Sequence, residues 1–390
     1  MNIGIPKLVI NDNQISYEVD ITCAQGNRTL WYSLDKSFAD LLCDNADAAL
    51  LGMLVPAMLA GENIHIQGAL SEQLFYNLSG PLQKAVQLII PSLKRINVTA
   101  DNICFDQPER AKGVITGFSA GIDSYCVMAD HYFSKVSNGF KVSHLLFNNV
   151  GSHGVGGESL FRERAERLAP HAKALGLPFL MVNSNLGDFY CPEIGFQKTH
   201  TLRNTSVALL LQQGIGRYLY ASSFSYVDTT IGTSYDISFS DPILVPMLST
   251  EMLDAVPTGG QYSRVEKTIR VADVPDSYAA LDVCIAPESA SNYANCGKCL
   301  KCLRTLNTLE IAGYLDRYES VFNMKNYKRY RSKGFMKILI TKKPLSAEVR
   351  AYAKEKNFSF PLISHLVALV MRNQKLQGLN GFNNVKKLAI

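Results

Sequence analysis

The feature that most constrains this chain is a rhythm. From about residue 109, short apolar runs at 113–116, 144–147, 179–182 and 218–221 alternate with helical stretches beginning at Ser124 and spanning 158–175 and 205–215. Strands separated by helices cannot pair as tight hairpins, so the pattern implies an α/β fold with a parallel sheet and flanking helices. In the second helical stretch Phe161, Ala165, Leu168, Ala172 and Leu175 fall on one face, with Arg162, Glu163, Arg164, Glu166 and Arg167 in the other positions. Pro170 is expected to kink or split this helix, and Gly176 and Pro178 to end it.

Residues 1–108 read differently. Strand candidates at 7–10 and 15–21 flank the turn Asn11-Asp12-Asn13, and helical stretches at 39–59 and 71–89 precede short strand candidates at 64–66 and 96–98. This predicts a separate N-terminal α+β domain. A chain of 390 residues with 47% apolar side chains is long enough for several units, and 19% charged residues excludes a disordered chain. The longest apolar run, 48–60, contains Pro56 and falls short of the roughly 20 residues of a membrane helix. The N-terminus has no secretory pattern, so a cytoplasmic protein without a membrane partner is expected.

Charge is uneven along the chain. Residues 314–390 carry 16 Lys/Arg against 4 Asp/Glu, a net +12, and the remainder carries −7. Two readings of this basic, mainly helical extension stand side by side: a solvated surface, or a phosphate-tracking face for RNA with Tyr327 and Tyr330 among Lys325, Lys328, Arg329, Arg331, Lys333, Lys337, Lys342 and Lys343.

Ligands of a parallel sheet bind at its strand ends. The first strand of the rhythm runs into Phe118-Ser119-Ala120-Gly121-Ile122-Asp123-Ser124, a small-residue turn opening a helix. Backbone N–H groups in such a turn can hold phosphate oxygens, with hydroxyls from Ser119 and Ser124, freedom of φ from Gly121, and Asp123 holding Mg²⁺ or capping the helix. An ordinary helix cap at a strand–helix turn reads equally well. The turn matches neither the Walker pattern nor the Gly-x-Gly-x-x-Gly pattern.

Four of nine cysteines form a cluster in sequence: Cys284, Cys296, Cys299 and Cys302, spaced C-x11-C-x2-C-x2-C. Four thiolates around Zn²⁺ carry a formal −2, which Lys298, Lys301 and Arg304 are placed to offset. A structural zinc site fits best; disulfides and an iron–sulfur cluster are the rivals. Cys23, Cys43, Cys104, Cys126 and Cys191 are scattered and read as small buried hydrophobes.

With the turn and the cluster in place, residues 113–313 resemble the QueC family, 7-cyano-7-deazaguanine synthases of the PP-loop ATP pyrophosphatase superfamily. Ser119 to Ser124 resemble the family's Ser-Gly-Gly-x-Asp-Ser loop, and Val150-Gly151-Ser152 its second-strand end. Arg203-Asn204-Thr205 resemble its Arg-Asn-Thr motif, Ser263-Arg264-Val265-Glu266 its Thr-Lys-Ala-Glu run, and Cys284, Cys296, Cys299 and Cys302 its zinc knuckle. Ala120 stands where the family has a glycine, so the chain is expected to hold a negative φ there. The family's Asp-Cys-Arg stretch has no counterpart in Ser234-Tyr235-Asp236-Ile237-Ser238.

The resemblance implies a PP-loop/HUP-like five-stranded sheet over 109–313, between a domain at 1–108 and an extension at 314–390. It implies an ATP-dependent ligase that splits ATP to AMP and pyrophosphate, adenylates a carbonyl oxygen of a deazapurine or related acceptor, and lets ammonia or an amine displace AMP. Ser119, Ala120, Gly121, Ile122 and Ser124 are then expected at the β,γ-phosphates, Asp123 acting through Mg²⁺, and Arg264 at the departing pyrophosphate. Gly151, Arg203 and Asn204 are expected to face the same pocket. Extended QueC-like proteins of antiphage systems share this overall plan, with a partner protein as acceptor. An RNA sulfurtransferase, using Cys126 or Cys191, and a non-catalytic nucleotide-binding scaffold are the alternatives.

Overall fold

The computed structural model describes residues 1–106, 108–154, 157–286 and 293–376. Of the expected extension over 314–390, residues 377–390 lie outside the described residues. The first region contains β1 (Asn2–Ile3), β2 (Lys7–Asn11), β3 (Gln14–Cys23), β4 (Gly26–Asp35), α1 (Asp47–Ala60), β5 (Ile64–Ser71), α2 (Glu72–Ser79), α3 (Pro81–Ile89) and β6 (Val98–Cys104). The alternating region follows with β7 (Gly113–Gly117), α4 (Ile122–Met128), β8 (His144–Asn149), α5 (Glu158–Ala174), β9 (Phe179–Ser184), α6 (His200–Leu210), β10 (Ile215–Ala221), α7 (Asp241–Leu244) and β11 (Asp254–Thr258). The chain then turns helical: α8 (Arg264–Ala272), α9 (Ser277–Ala280), α10 (Leu300–Ala312), α11 (Met324–Ile340), α12 (Pro344–Glu355) and α13 (Leu362–Leu376).

The chain parts into two compact units. Unit 1 comprises Met1–Ser119 and Asp130–Gln261; unit 2 comprises residues 120–129 and the described residues from Tyr262 on. Every strand among the described residues belongs to one eleven-stranded sheet in unit 1, ordered β11-β10-β7-β8-β9-β4-β3-β1-β5-β6, with β2 on β3. Its five-strand segment β11 to β9 is parallel, as the rhythm predicts. Buried runs such as Val114-Ile115-Thr116 and Leu145-Leu146-Phe147 explain why: strands covered on both faces are apolar nearly throughout.

The N-terminal strands do not form a sheet of their own. β4 pairs antiparallel with β9 through Tyr32↔Ser184 and Ser33↔Asn183, which joins both halves of the sheet. One continuous core includes Leu50 and Leu54 of α1 with Val207 and Leu210 of α6. The unit boundaries therefore differ from those expected at 108 and 313, because pairing between strands, invisible in local composition, decides where the cores run.

Several elements shift from expectation for local reasons. The stretch 71–89 is two helices, broken at Gly80, with Pro81 starting the second. Helix α6 starts five residues before Thr205, so Arg203 and Asn204 fall in its first turns. Helix α5 neither splits nor ends at Pro170, which lies on an exposed position where the carbonyl it leaves unpaired can turn to water. Phe161 of α5 stacks on Phe147 of β8 with ring centroids 5.3 Å apart, fixing the helix on the sheet. No helix among the described residues is long and apolar enough to cross a membrane.

Unit 2 has its own core, in which Val265 of α8, Ile311 of α10, Phe335 and Ile338 of α11, and Val349 and Ala353 of α12 pack together. The first two-thirds of the basic extension is thus a wall of this unit.

Candidate functional site

In unit 2 the turn and the start of α8 bring three charged side chains together. Ser263 and Glu266 explain the position of the second element. They form a capping box, the Ser263 Oγ accepting from the Glu266 N–H (3.2 Å) and the Glu266 carboxylate from the Ser263 N–H (2.7 Å). This starts the helix at Arg264, whose Nη2 donates to Asp123 Oδ2 at 2.9 Å; Lys267 Nζ lies 3.4 Å from Oδ1. Lys267 is 1% exposed. Burial pushes the Asp123 carboxyl up, but the Arg264 guanidinium and the Lys267 ammonium outweigh it and hold it below the usual range. Lys301 adds its field to the same carboxylate. Glu348 Oε2 accepts from the Arg264 N–H at 2.7 Å, so Arg264, Lys267 and Lys301 stand with two carboxylates, an excess of one positive charge among these five side chains that an anion can use.

Lys267 escaped the sequence reading, although it sits three residues after Arg264 and so on the same helix face. Asp123 makes no cap bond at α4 and accepts from cations on both oxygens. Ser124 Oγ donates to the Gly121 carbonyl at 3.1 Å, and Ser119 is exposed. The turn's left-handed residue is Ala120, with φ +52°, whereas Gly121 has φ −81°. The negative φ expected of Ala120 is overturned: the alanine occupies the very conformation that a glycine would adopt without steric cost.

The four-cysteine cluster, also in unit 2, is assembled as the spacing predicts. The sulfur atoms of Cys284, Cys296, Cys299 and Cys302 all lie within 4.8 Å of one another. Cys296 and Cys302 are 3.9 Å apart, close to the edge of about 3.8 Å for a tetrahedron with metal–sulfur bonds of about 2.3 Å. Backbone N–H groups point at the sulfurs: those of Ala286 and Cys296 at Cys284 Sγ (3.4 and 3.5 Å), and that of Cys299 at Cys296 Sγ (3.3 Å). Gly297 makes the knuckle possible, because its φ is +67° and a Cβ would sit 2.3 Å from the Asn323 carbonyl oxygen. Hydrogen bonds from Cys284 and Cys302 lower the Cys299 thiol, while Cys284 and Cys299 raise that of Cys302. Such a cluster could hold a metal ion such as zinc, and with four protein ligands it leaves no open position.

Unit 1 holds a different site. A cavity of about 470 Å³ is lined by Trp31, Asn149, Gly151, Asn183, Gly187, Tyr190, Cys191, Phe196 and Arg203, among others. Arg203 is only 4% exposed and is no surface cation. Its Nη1 donates to the Val150 carbonyl at 3.2 Å, and its guanidinium lies 3.5 Å from the Tyr190 ring centroid and 5.3 Å from that of Phe196. Burial lowers its pKa, opposed by the Tyr190 hydroxyl. Gly151 gives it room: φ is +94° there, and a Cβ would lie 2.7 Å from Arg203 Nη1.

Gly151 and Arg203 thus lie side by side in the unit 1 cavity, whose lining includes none of residues 119–124 and not Arg264. Asn204 is not among the cavity's lining residues and lies near the Tyr220 hydroxyl instead, because neighbouring helix positions point about 100° apart. Trp31, Tyr190 and Phe196 were not singled out in sequence, since their approach to Arg203 depends on the β4–β9 pairing and on the loop after β9. Cys191 lines the cavity, whereas Cys126 is fully buried. Tyr327, expected on a nucleic-acid face, is 1% exposed and hydrogen-bonded to the Asn307 amide and Glu310, which also pairs with Arg331. No protein-family model, curated protein or solved structure matches the chain, so the chemistry of these sites rests on their own residues.

Proposed function

We propose that the chain is an ATP-dependent ligase of the PP-loop type, QueC-like, that splits ATP to AMP and pyrophosphate and forms a C–N bond on a carboxylate. The observation that carries this reading is the cation excess around Asp123. Arg264 and Lys267, from the first turn of α8, meet Asp123 in the first turn of α4, the helix that the small-residue turn opens, and a departing pyrophosphate there would have its charge offset. A second observation supports the PP-loop/HUP reading: the order β11-β10-β7-β8-β9 reverses direction between β7 and β10, and the turn follows β7.

In the proposed reaction an acceptor carboxylate oxygen attacks the α-phosphorus of ATP and pyrophosphate leaves. Ammonia or an amine then attacks the acyl carbon, loses a proton, and AMP departs with the former carboxylate oxygen. Arg264 and Lys267 bind the pyrophosphate, and Asp123 positions both cations. The carboxylate of Asp123 is already occupied by two cations, which does not fit the expectation that it holds Mg²⁺, and no step is routed through that ion. Zinc fits the cysteine cluster, where it would hold the knuckle together. The acceptor is taken to be a deazapurine or a related carboxylate, small or carried by a partner protein, and a role in antiviral defence belongs to the same reading. RNA thiolation keeps Cys191, which lines the unit 1 cavity, as its candidate cysteine, while Cys126 and Tyr327 are buried.

The test is incubation with Mg-ATP, ammonium and 7-carboxy-7-deazaguanine, with Arg264→Ala as control and mass spectrometry as readout. AMP with a deazapurine amide or nitrile, both lost in the variant, is expected. ATP bound but never cleaved, with this or any other carboxylate, would replace the ligase by a nucleotide-binding scaffold.

A further inference from the structure

Arg203 is a charge without a counter-charge. Burying a guanidinium is costly unless an anion or a full set of acceptors meets it. Yet no carboxylate lies within ion-pair distance of Arg203 among the described residues, and its buried Nε–H has no acceptor. One carbonyl, the Tyr190 hydroxyl and two aromatic rings are what the fold supplies, all of them neutral at ordinary pH. The guanidinium also lines an open cavity of about 470 Å³, a volume typical of small-molecule sites.

The lining selects among anions. Glu158 and Asp188 belong to the same cavity, so a phosphate dianion would meet one cation and two carboxylates. A monoanion with two coplanar oxygens matches the guanidinium fork and adds less repulsion. Trp31 and Phe196 supply ring surface for an apolar, flat body.

We infer that the unit 1 cavity binds a small aromatic carboxylate, its carboxylate held by Arg203 and its ring among Trp31, Tyr190 and Phe196. The inference deepens the proposed reaction and rests on it for one thing, the ligand class, since an aromatic carboxylate is also the acceptor named there; every residue it uses lies in unit 1. It also moves Arg203 from the nucleotide, where the resemblance puts it, to a different ligand.

The chain supplies its own reporter, because Trp31 is its single tryptophan. Benzoate is titrated into the full-length protein without ATP, and Trp31 fluorescence is followed, with benzamide as the neutral probe of the same shape and inorganic phosphate as the competing anion. A saturable change with benzoate is expected, with half-saturation on the order of 1–10 mM for so small a probe. Benzamide and phosphate should bind at least about tenfold more weakly, as should benzoate to Arg203→Gln. Should that variant fail to melt cooperatively, the benzoate–benzamide contrast on the unaltered chain decides. Equal responses to benzoate and benzamide, no response to benzoate, or a response to phosphate alone would each overturn the assignment. Failure of ATP cleavage would leave it intact.

Discussion

The cysteine cluster of unit 2 and the Arg203 cavity of unit 1 hold opposite charge in opposite ways. The cluster draws its four sulfurs from the short stretch between Cys284 and Cys302, and backbone N–H groups of the same stretch support them. The cavity gathers Trp31, Gly151, Tyr190 and Arg203 from strand ends and loops far apart in sequence, and one carbonyl supports its cation. A local site depends on its ligand to hold its fold; a dispersed site depends on the fold to hold its charged group. Perturbing the first should therefore unfold its surroundings, and perturbing the second should change what binds.

The largest effect should come from removing the ion. Structural zinc sites contribute on the order of 10 kcal/mol of folding free energy, so Cys302→Ser or a strong chelator should abolish bound metal and the cooperative melting of unit 2. Metal analysis with hydrogen exchange over α10 checks it, and unchanged protection in metal-free protein would break the contrast. Next comes the charge cluster. Asp123→Asn removes the charge 3.4 Å from the buried Lys267 ammonium and should cost about 1–3 kcal/mol, discounted for the partial exposure of Asp123. Adding Lys267→Met should recover much of it, a double-mutant cycle that denaturant melts can close.

The same carboxyl fixes a pH dependence. Its folded pKa lies below the unfolded value of about 3.9, so its contribution is complete above that value and is lost as pH falls through the lower folded one. Acid melts of unit 2 should show this limb, and Asp123→Asn should flatten it. In unit 1, Gly151→Ala should cost about 1–3 kcal/mol and weaken benzoate binding, because a methyl there collides with Arg203. Smallest is Ala120→Gly, which removes a left-handed alanine and should stabilise by about 0.5 kcal/mol after the greater freedom of the unfolded glycine is counted. A loss of stability there would mean that Ala120 packing outweighs its strain.

How much was legible follows from the same contrast. The parallel strands could be read because both of their faces are buried, and the cysteine knuckle because its spacing is its geometry. The capping box at Ser263 and Glu266 carried a local signal that was read only as a family likeness. The union of residues 1–108 with the parallel sheet could not be read, because Tyr32↔Ser184 and Ser33↔Asn183 pair across a gap that composition does not register. Arg203 stood out, but its aromatic neighbours did not, for the same reason. Tyr327 among its basic neighbours looked like a solvent-facing stacking group, and only the packing of α10 on α11 turns it inward.

The pairing of β4 with β9 also sets a timetable for synthesis. β4 is complete at Asp35, whereas its partner does not exist until Ser184 has been made. At ribosomal speeds of about 5–20 residues per second, that strand waits roughly seven to thirty seconds for this partner. Leu30, Tyr32 and Leu34 share one face of it, buried in the finished fold, and an unpaired strand edge beside that face invites pairing with a neighbouring nascent chain. The delay leaves the early hairpin without that partner while 149 further residues are made.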